Sequence, residues 1–164
     1  MLSKKMNDAL NAQMRDELYS GYLYLAMRAY FESENLPGFA KWFQIQAQEE
    51  LGHGMRFFDY MAEANGRAVM LAIPAPRKDF ASARAALQEG LAHEKKVTAA
   101  IHRLVDLARA EKDHATENFL QWFVKEQVEE EANFTLVLSM VERAGDGRGL
   151  LMLDHELGKR SAEE

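Results

Sequence analysis

Six residues spread along the chain share a donor chemistry. They are Glu17, Glu50 with His53 three positions on, Glu94, and Gln127 with Glu130 three positions on. Carboxylate oxygens are hard ligands and imidazole is a softer one, a mixture that suits iron or manganese. A spacing of three sets both members of a pair on one ridge of a helix. The chain has no cysteine, so disulfides, iron–sulfur clusters and thiolate zinc are excluded. Any metal must rest on Asp, Glu, His or carbonyl oxygen. Taken singly, each residue has a blander reading. A lone Glu on a helix is ordinarily solvated, and Glu50-x-x-His53 on its own reads as a surface pair or a hydrogen-bonded core histidine.

The elements that carry these residues decide between the readings. Leu10, Glu17, Tyr24 and Phe31 recur every seven residues, a repeat that drifts only ~20° per step around a helix. A second stripe reads Phe39, Phe43, Gln46, Glu50, His53, Phe57, Tyr60, Ala64, and a third Leu87, Gly90, Glu94, Val97, Ile101, Leu104. The fourth is Leu120, Phe123, Gln127, Glu130, Phe134, Val137, Val141. Steps of three and four are the inward-facing pattern of a packed bundle. Every stripe is apolar at both ends and polar at its middle, so side-by-side packing puts four carboxylates, an imidazole and a carboxamide at one level. No stripe position holds Lys or Arg. An unpaired buried carboxylate costs several kcal/mol, and like charges nearby add to it. Four would consume most of the ~5–15 kcal/mol of a domain's net stability. Retained protons relieve part of that cost, and divalent cations relieve it better.

The predicted architecture is all-α and a single domain over 1–164. Helical segments run from about Ser3 to Phe31, from Pro37 to Asn65-Gly66, from about Ser82 to Ala110, and from Asp113 or Thr116 to Ala144-Gly145. Pro37 suits a first turn, Asn65-Gly66 a C-terminal stop, and Asp113 and Thr116 are both N-cap candidates. Residues 145–149 read as a hinge before a short helix, 150–157. Short links make each consecutive pair an antiparallel hairpin, while the Pro74/Pro76 stretch between the second and third helices is long enough to climb the bundle. One long crossover is the ferritin-like arrangement rather than the plain up-down one.

Composition bounds the partners. The chain is 48% hydrophobic and carries a formal charge of −6, so cations are better partners than nucleic acid. No apolar run approaches the ~20 residues that cross a bilayer. The segment Met1-Leu-Ser-Lys-Lys-Met-Asn-Asp lacks a signal peptide's apolar stretch, and a cytoplasmic location is expected.

At these same residues the sequence resembles the ferritins, most closely the bacterial non-haem ferritins. Glu17-Leu-Tyr-Ser20, Ala47-Gln-Glu-Glu-Leu-Gly-His53 and Asn118-Phe-Leu-Gln-Trp-Phe-Val-Lys-Glu-Gln-Val-Glu-Glu-Glu131 carry the likeness, which extends over nearly the whole chain. A Glu from each of two helices with Glu-x-x-His from the other two is the established arrangement of ferritin-like di-iron bundles. This chain departs from it with Gln127-x-x-Glu130 on the fourth helix, as non-haem ferritins do, which separates it from bacterioferritins and rubrerythrin-like proteins. The resemblance implies a ferroxidase that turns Fe(II) into Fe(III) with O2 or H2O2 and stores a ferric mineral in a shell of twenty-four subunits. It implies that Glu17, Glu50 and His53 hold one iron, that Glu50 bridges to a second completed by Glu94 and Glu130, and that Gln127 orients bound water or dioxygen. A third iron position would use Glu49, Glu126 and Glu129 with Glu130; a solvated acidic face is the alternative. Tyr24 would hydrogen-bond near the site and supply an electron. Trp122 is a second such candidate, although a packing role suits it better. The short last helix would pack at a symmetry axis, and Glu117 is a candidate for an inlet channel. No haem is expected, since Leu51 stands where bacterioferritins place the ligating Met.

Two rival readings remain. A small di-metal oxidase, peroxidase or manganese catalase would keep the metal site without the shell. A metal-free helical scaffold would require charged partners for the buried glutamates.

Overall fold

The computed structural model describes residues 2–161. Helices α1 (Lys4–Ser33), α2 (Pro37–Glu63), α3 (Ala83–Glu111), α4 (His114–Ala144) and α5 (Arg148–Leu157) form an all-α, ferritin-like bundle with one long crossover, residues 64–82. The last helix starts inside the predicted hinge, because Gly147 with φ of 75° turns the chain into it.

Local chemistry sets the ends. Ser3 accepts from the Met6 amide at 3.0 Å and Ser82 from the Ala85 amide at 3.1 Å, so each serine satisfies an amide that has no partner within the helix. Asp113, not Thr116, caps α4. The Thr116 amide donates to it at 3.1 Å and the Thr116 hydroxyl at 2.6 Å. At the end of α2, Asn65 adopts φ of 55° and the Gly66 amide reaches back to the Met61 carbonyl at 2.7 Å. That is the left-handed stop asparagine and glycine favour. The crossover is stitched to α1 by two asparagines. Asn7 accepts from the Arg67 amide at 2.9 Å, Asn11 accepts from the Val69 amide at 2.6 Å, and Asn11 donates to the Arg67 carbonyl at 2.8 Å.

The core is divided in two. One apolar cluster gathers Tyr24, Met27 and Phe31 of α1 with Phe39, Phe43, Leu87 and Phe134. The other gathers Met6, Leu10 and Met14 with Phe57, Met61, Ile101, Leu120 and Phe123. Each fully buried large side chain contributes about 1.5–3 kcal/mol. On all four long helices the residues between the clusters are the polar middles of the stripes, so the predicted layer is a physical one.

Gly90, the odd small residue in the third stripe, is explained by Phe134. A Cβ at this position would run into the Phe134 ring, which itself is fully buried. Gly90→Ala is therefore expected to destabilise the bundle by about 1–3 kcal/mol despite better helix propensity. Urea unfolding of both proteins checks it, and equal midpoints would show that the ring moves aside freely.

The α5 helix docks on the start of α2. Asp154 accepts from the Phe39 amide at 2.9 Å, and Lys41 donates to the Gly158 carbonyl at 3.0 Å. Gly38 permits this approach, since a Cβ there would strike the Asp154 backbone.

Candidate metal centre

The polar layer brings all six predicted residues together. Glu17, Glu50, His53, Glu94, Gln127 and Glu130 are each at most 5% exposed. Ligand atoms of Glu17, Glu50 and His53 lie within 4.8 Å of one another, and so do those of His53, Glu126 and Glu130. Uncharged donors orient this set. Gln13 donates to Glu17 at 2.9 Å and Gln46 donates to Glu130 at 2.8 Å. Tyr24 donates its hydroxyl proton to Glu94 Oε1. Gln127 donates to Glu94 Oε2 at 3.0 Å and also reaches Thr98 Oγ1 at 3.3 Å. Gln127 thus steadies a carboxylate.

Three buried atoms of this layer lack a hydrogen-bond partner among the described residues: Glu17 Oε2, Glu50 Oε2 and His53 Nδ1. The last two face each other at 3.4 Å. Buried polar atoms normally find partners, and each that does not costs about 1–3 kcal/mol. Two carboxylate oxygens and an imidazole nitrogen left open toward one point fit a cation.

Burial dominates the electrostatics. It pushes the Glu17 and Glu50 carboxyls up, Glu50 well above the usual range with the Glu94 charge adding to the effect. Glu94 rises to about 7 by burial. Glu130 rises to about 8, by burial and then by the charge of Glu94. Burial pulls His53 down, but the carboxylates of Glu126 and Glu50 outweigh it and carry the imidazole up to about 11. Raised carboxyls of this kind make protons and a divalent cation competitors for the same oxygens.

The other predicted residues separate by position. Glu126 lies beside the centre, 3.7 Å from His53 Nε2. Glu49 is partly buried and Glu129 exposed, and both line a cavity of about 750 Å³ with Glu126 and Glu130. Tyr24 is fully buried. Trp122 is only half-buried, its ring edge-on to His53 at 5.4 Å and covered by the Arg56 guanidinium at 3.8 Å. Glu117 stands apart from the layer, paired with Arg109 at 2.7 Å. Arg160 is the residue that the stripe pattern did not reveal. The stripes supply no Lys or Arg from their inward positions, but the segment after α5 brings this guanidinium to Gln46 and Glu49. It follows the last helix and belongs to no stripe, so no periodicity signals it.

A bundle with one long crossover and a buried, carboxylate-rich layer at mid-height defines the ferritin-like class. The ferritin-like domain family matches residues 7–144, and the chain belongs to the ferritin family. It is 42% identical to a bacterial non-heme ferritin of Staphylococcus saprophyticus over 100% of this chain and 99% of that protein. A bacterial non-heme ferritin of Staphylococcus aureus is 41% identical over the same shares. Among solved structures, a closed form of the Archaeoglobus fulgidus ferritin, engineered by site-directed mutagenesis, superposes with a TM-score of 0.98 at 46% identity. That match covers 99% of this chain and 100% of the other. The open pore ferritin of the same archaeon gives 0.97 at 46% identity, over 98% and 99%.

Proposed function

We propose that this chain binds two Fe(II) ions as substrate in the polar layer, oxidises them to Fe(III) with O2 or H2O2, and stores the product as a ferric mineral inside a homo-oligomeric shell. The observation that carries the reading is the trio of open buried atoms on Glu17, Glu50 and His53. Each iron gives up one electron, and the pair passes to O2, giving peroxide, or to H2O2, giving two waters. Glu17, Glu50 and His53 hold the first iron; Glu50 reaches toward the second, which Glu94 and Glu130 complete. Hard carboxylates favour Fe(III) over Fe(II), so the ligand set itself draws the reaction forward. Gln127 orients the bound oxidant or water. Tyr24, whose hydroxyl bonds Glu94, steadies that ligand and supplies an electron. Glu126, Glu129 and Glu49, with Glu130, form the third position beside the centre. The cysteine-free composition suits the cytoplasm.

Exposed apolar side chains support the shell. Leu51, Met55 and Phe58 recur at helical spacing on the outer side of α2, Tyr22 and Leu25 do so on α1, and Val69, Met70, Leu71 and Ile73 lie bare on the crossover. So much exposed apolar surface marks an interaction face; here its occupant is a second copy of the chain, and the full assembly is the twenty-four-subunit shell. No helix among the described residues is long and apolar enough to cross a membrane.

Anaerobic loading with Fe(II), followed by O2 and sizing of the same sample, tests the reading. The expected result is fast oxidation of two or three irons per chain in a very large particle, then slower uptake far beyond that number. Oxidation that stops at two irons in a small particle would indicate a di-metal oxidase instead, and absence of iron binding would refute the metal centre.

A further inference from the structure

A charged residue from outside the bundle helices reaches the polar layer. Arg160 Nη2 donates to both oxygens of Glu49, at 3.0 and 2.9 Å, and Nη1 donates to Gln46 Oε1 at 2.5 Å. Gln46 is fully buried, and its amide nitrogen donates to Glu130 Oε2 at 2.8 Å. A continuous chain of hydrogen bonds thus runs from a guanidinium beyond the last helix to a carboxylate of the metal layer. Arg160 and Glu49 are mostly covered, their side chains 23% and 25% exposed. The guanidinium lies 5.3 Å from the Trp42 ring centre, and both line the 750 Å³ cavity with Glu126, Glu129 and Glu130.

We propose that Arg160 is a built-in counter-ion that holds the cation position over Glu49 and, through Gln46, sets the orientation of Glu130. The planar guanidinium splits its donors, Nη2 to both oxygens of Glu49 and Nη1 to Gln46, so Glu49 turns to a metal ion only when the guanidinium leaves. Its departure also frees Gln46, whose carboxamide is otherwise fixed at both ends, and with it Glu130 Oε2. Occupation of the Glu49 position is therefore coupled to release of the segment at Lys159 and Arg160, whose amides bond the Glu156 and Leu157 carbonyls at 3.0 and 3.2 Å. Arg160 acts as a positioning residue and touches no reacting atom. The inference rests on the two-iron reading for the identity of the ion alone.

Calorimetric titration of the full-length apo-protein with Zn2+, which carries no redox chemistry, tests it. Arg160→Gln is expected to tighten the weaker class of site on the order of tenfold, the discount for a partly solvated charge included. Arg160→Lys falls between, keeping the charge without the fork. Lys159→Gln, which removes a neighbouring exposed charge, leaves the isotherm unchanged and so controls for net charge. Glu49→Gln abolishes the difference between wild type and Arg160→Gln. Hydrogen exchange gives a second reading: Zn2+ speeds exchange at the Lys159 and Arg160 amides in the wild type, and the corresponding amides of Arg160→Gln exchange fast from the start. A weaker class that is equal, or undetectable, in both proteins overturns the proposal, as does exchange that ignores Zn2+. Loss of the tight class in every variant would overturn the two-iron reading instead and leave the comparison at Glu49 intact.

Discussion

Glu50→Gln is expected to cut the initial rate of Fe(II) oxidation by a factor of about 100 or more, and to raise the stability of the metal-free protein above neutral pH. The two effects share a cause. Glu50 is 1% exposed, one of its oxygens has no hydrogen-bond partner, and the proposed function makes it the ligand shared by both irons. Supporting groups around a metal commonly cost 10–100-fold when lost, and a bridging ligand costs more. A carboxamide of the same shape coordinates iron poorly and cannot bridge two ions with charge. It also removes an acid that burial and Glu94 hold far from its ordinary range. Replacing a buried charge with a neutral group of similar volume stabilises by roughly 1–4 kcal/mol where compensation was incomplete. Glu50→Ala gives the same kinetic loss, with the gain in stability offset by the cavity left behind. Stopped-flow oxidation and thermal melts at pH 8 check both halves. Wild-type oxidation kinetics in either variant would remove Glu50 from the centre.

The metal-free protein is expected to lose stability steadily between about pH 5 and pH 9. Glu94 and Glu130 titrate in the fold at about 7 and 8, above the ordinary value of 4.5. Between those limits the folded chain holds more protons than the unfolded one, so stability falls as pH rises through the window. His53, raised to about 11 from 6.5, extends the fall on the alkaline side. Glu126 works the other way, since its depressed carboxyl is stabilising when ionised and loses that contribution on acidification. The shift of Glu130 alone corresponds to about 5 kcal/mol, although the neighbouring carboxylates titrate together and their effects do not add. A divalent cation replaces the protons. Zn2+ at a hundred times its dissociation constant adds about 2.7 kcal/mol and flattens the alkaline limb. Denaturant midpoints at pH 5, 7 and 9, with and without Zn2+, decide it. A pH-independent apo midpoint would mean that the carboxylates are solvated or otherwise paired.

The sequence by itself determined the four long helices, their order and the level of the polar layer. Heptad and three–four spacing reports which side chain faces inward irrespective of the partner helix, and caps such as Ser82, Asp113 and Asn65 mark ends through bonds that span only a few residues. Glu17, Glu50, His53, Glu94, Gln127 and Glu130 were legible for the same reason, as polar interruptions of otherwise apolar stripes. The tertiary structure alone decided what those residues touch. That Gln127 steadies Glu94, that Gln46 holds Glu130, and that Phe134 requires Gly90 are contacts between helices whose rotation about their axes no single stripe specifies. Arg160 was the least legible of all. Its place beside Glu49 depends on a short helix folding back onto the start of α2, and a long side chain beyond the last periodic element carries no pattern that says where its charge will land.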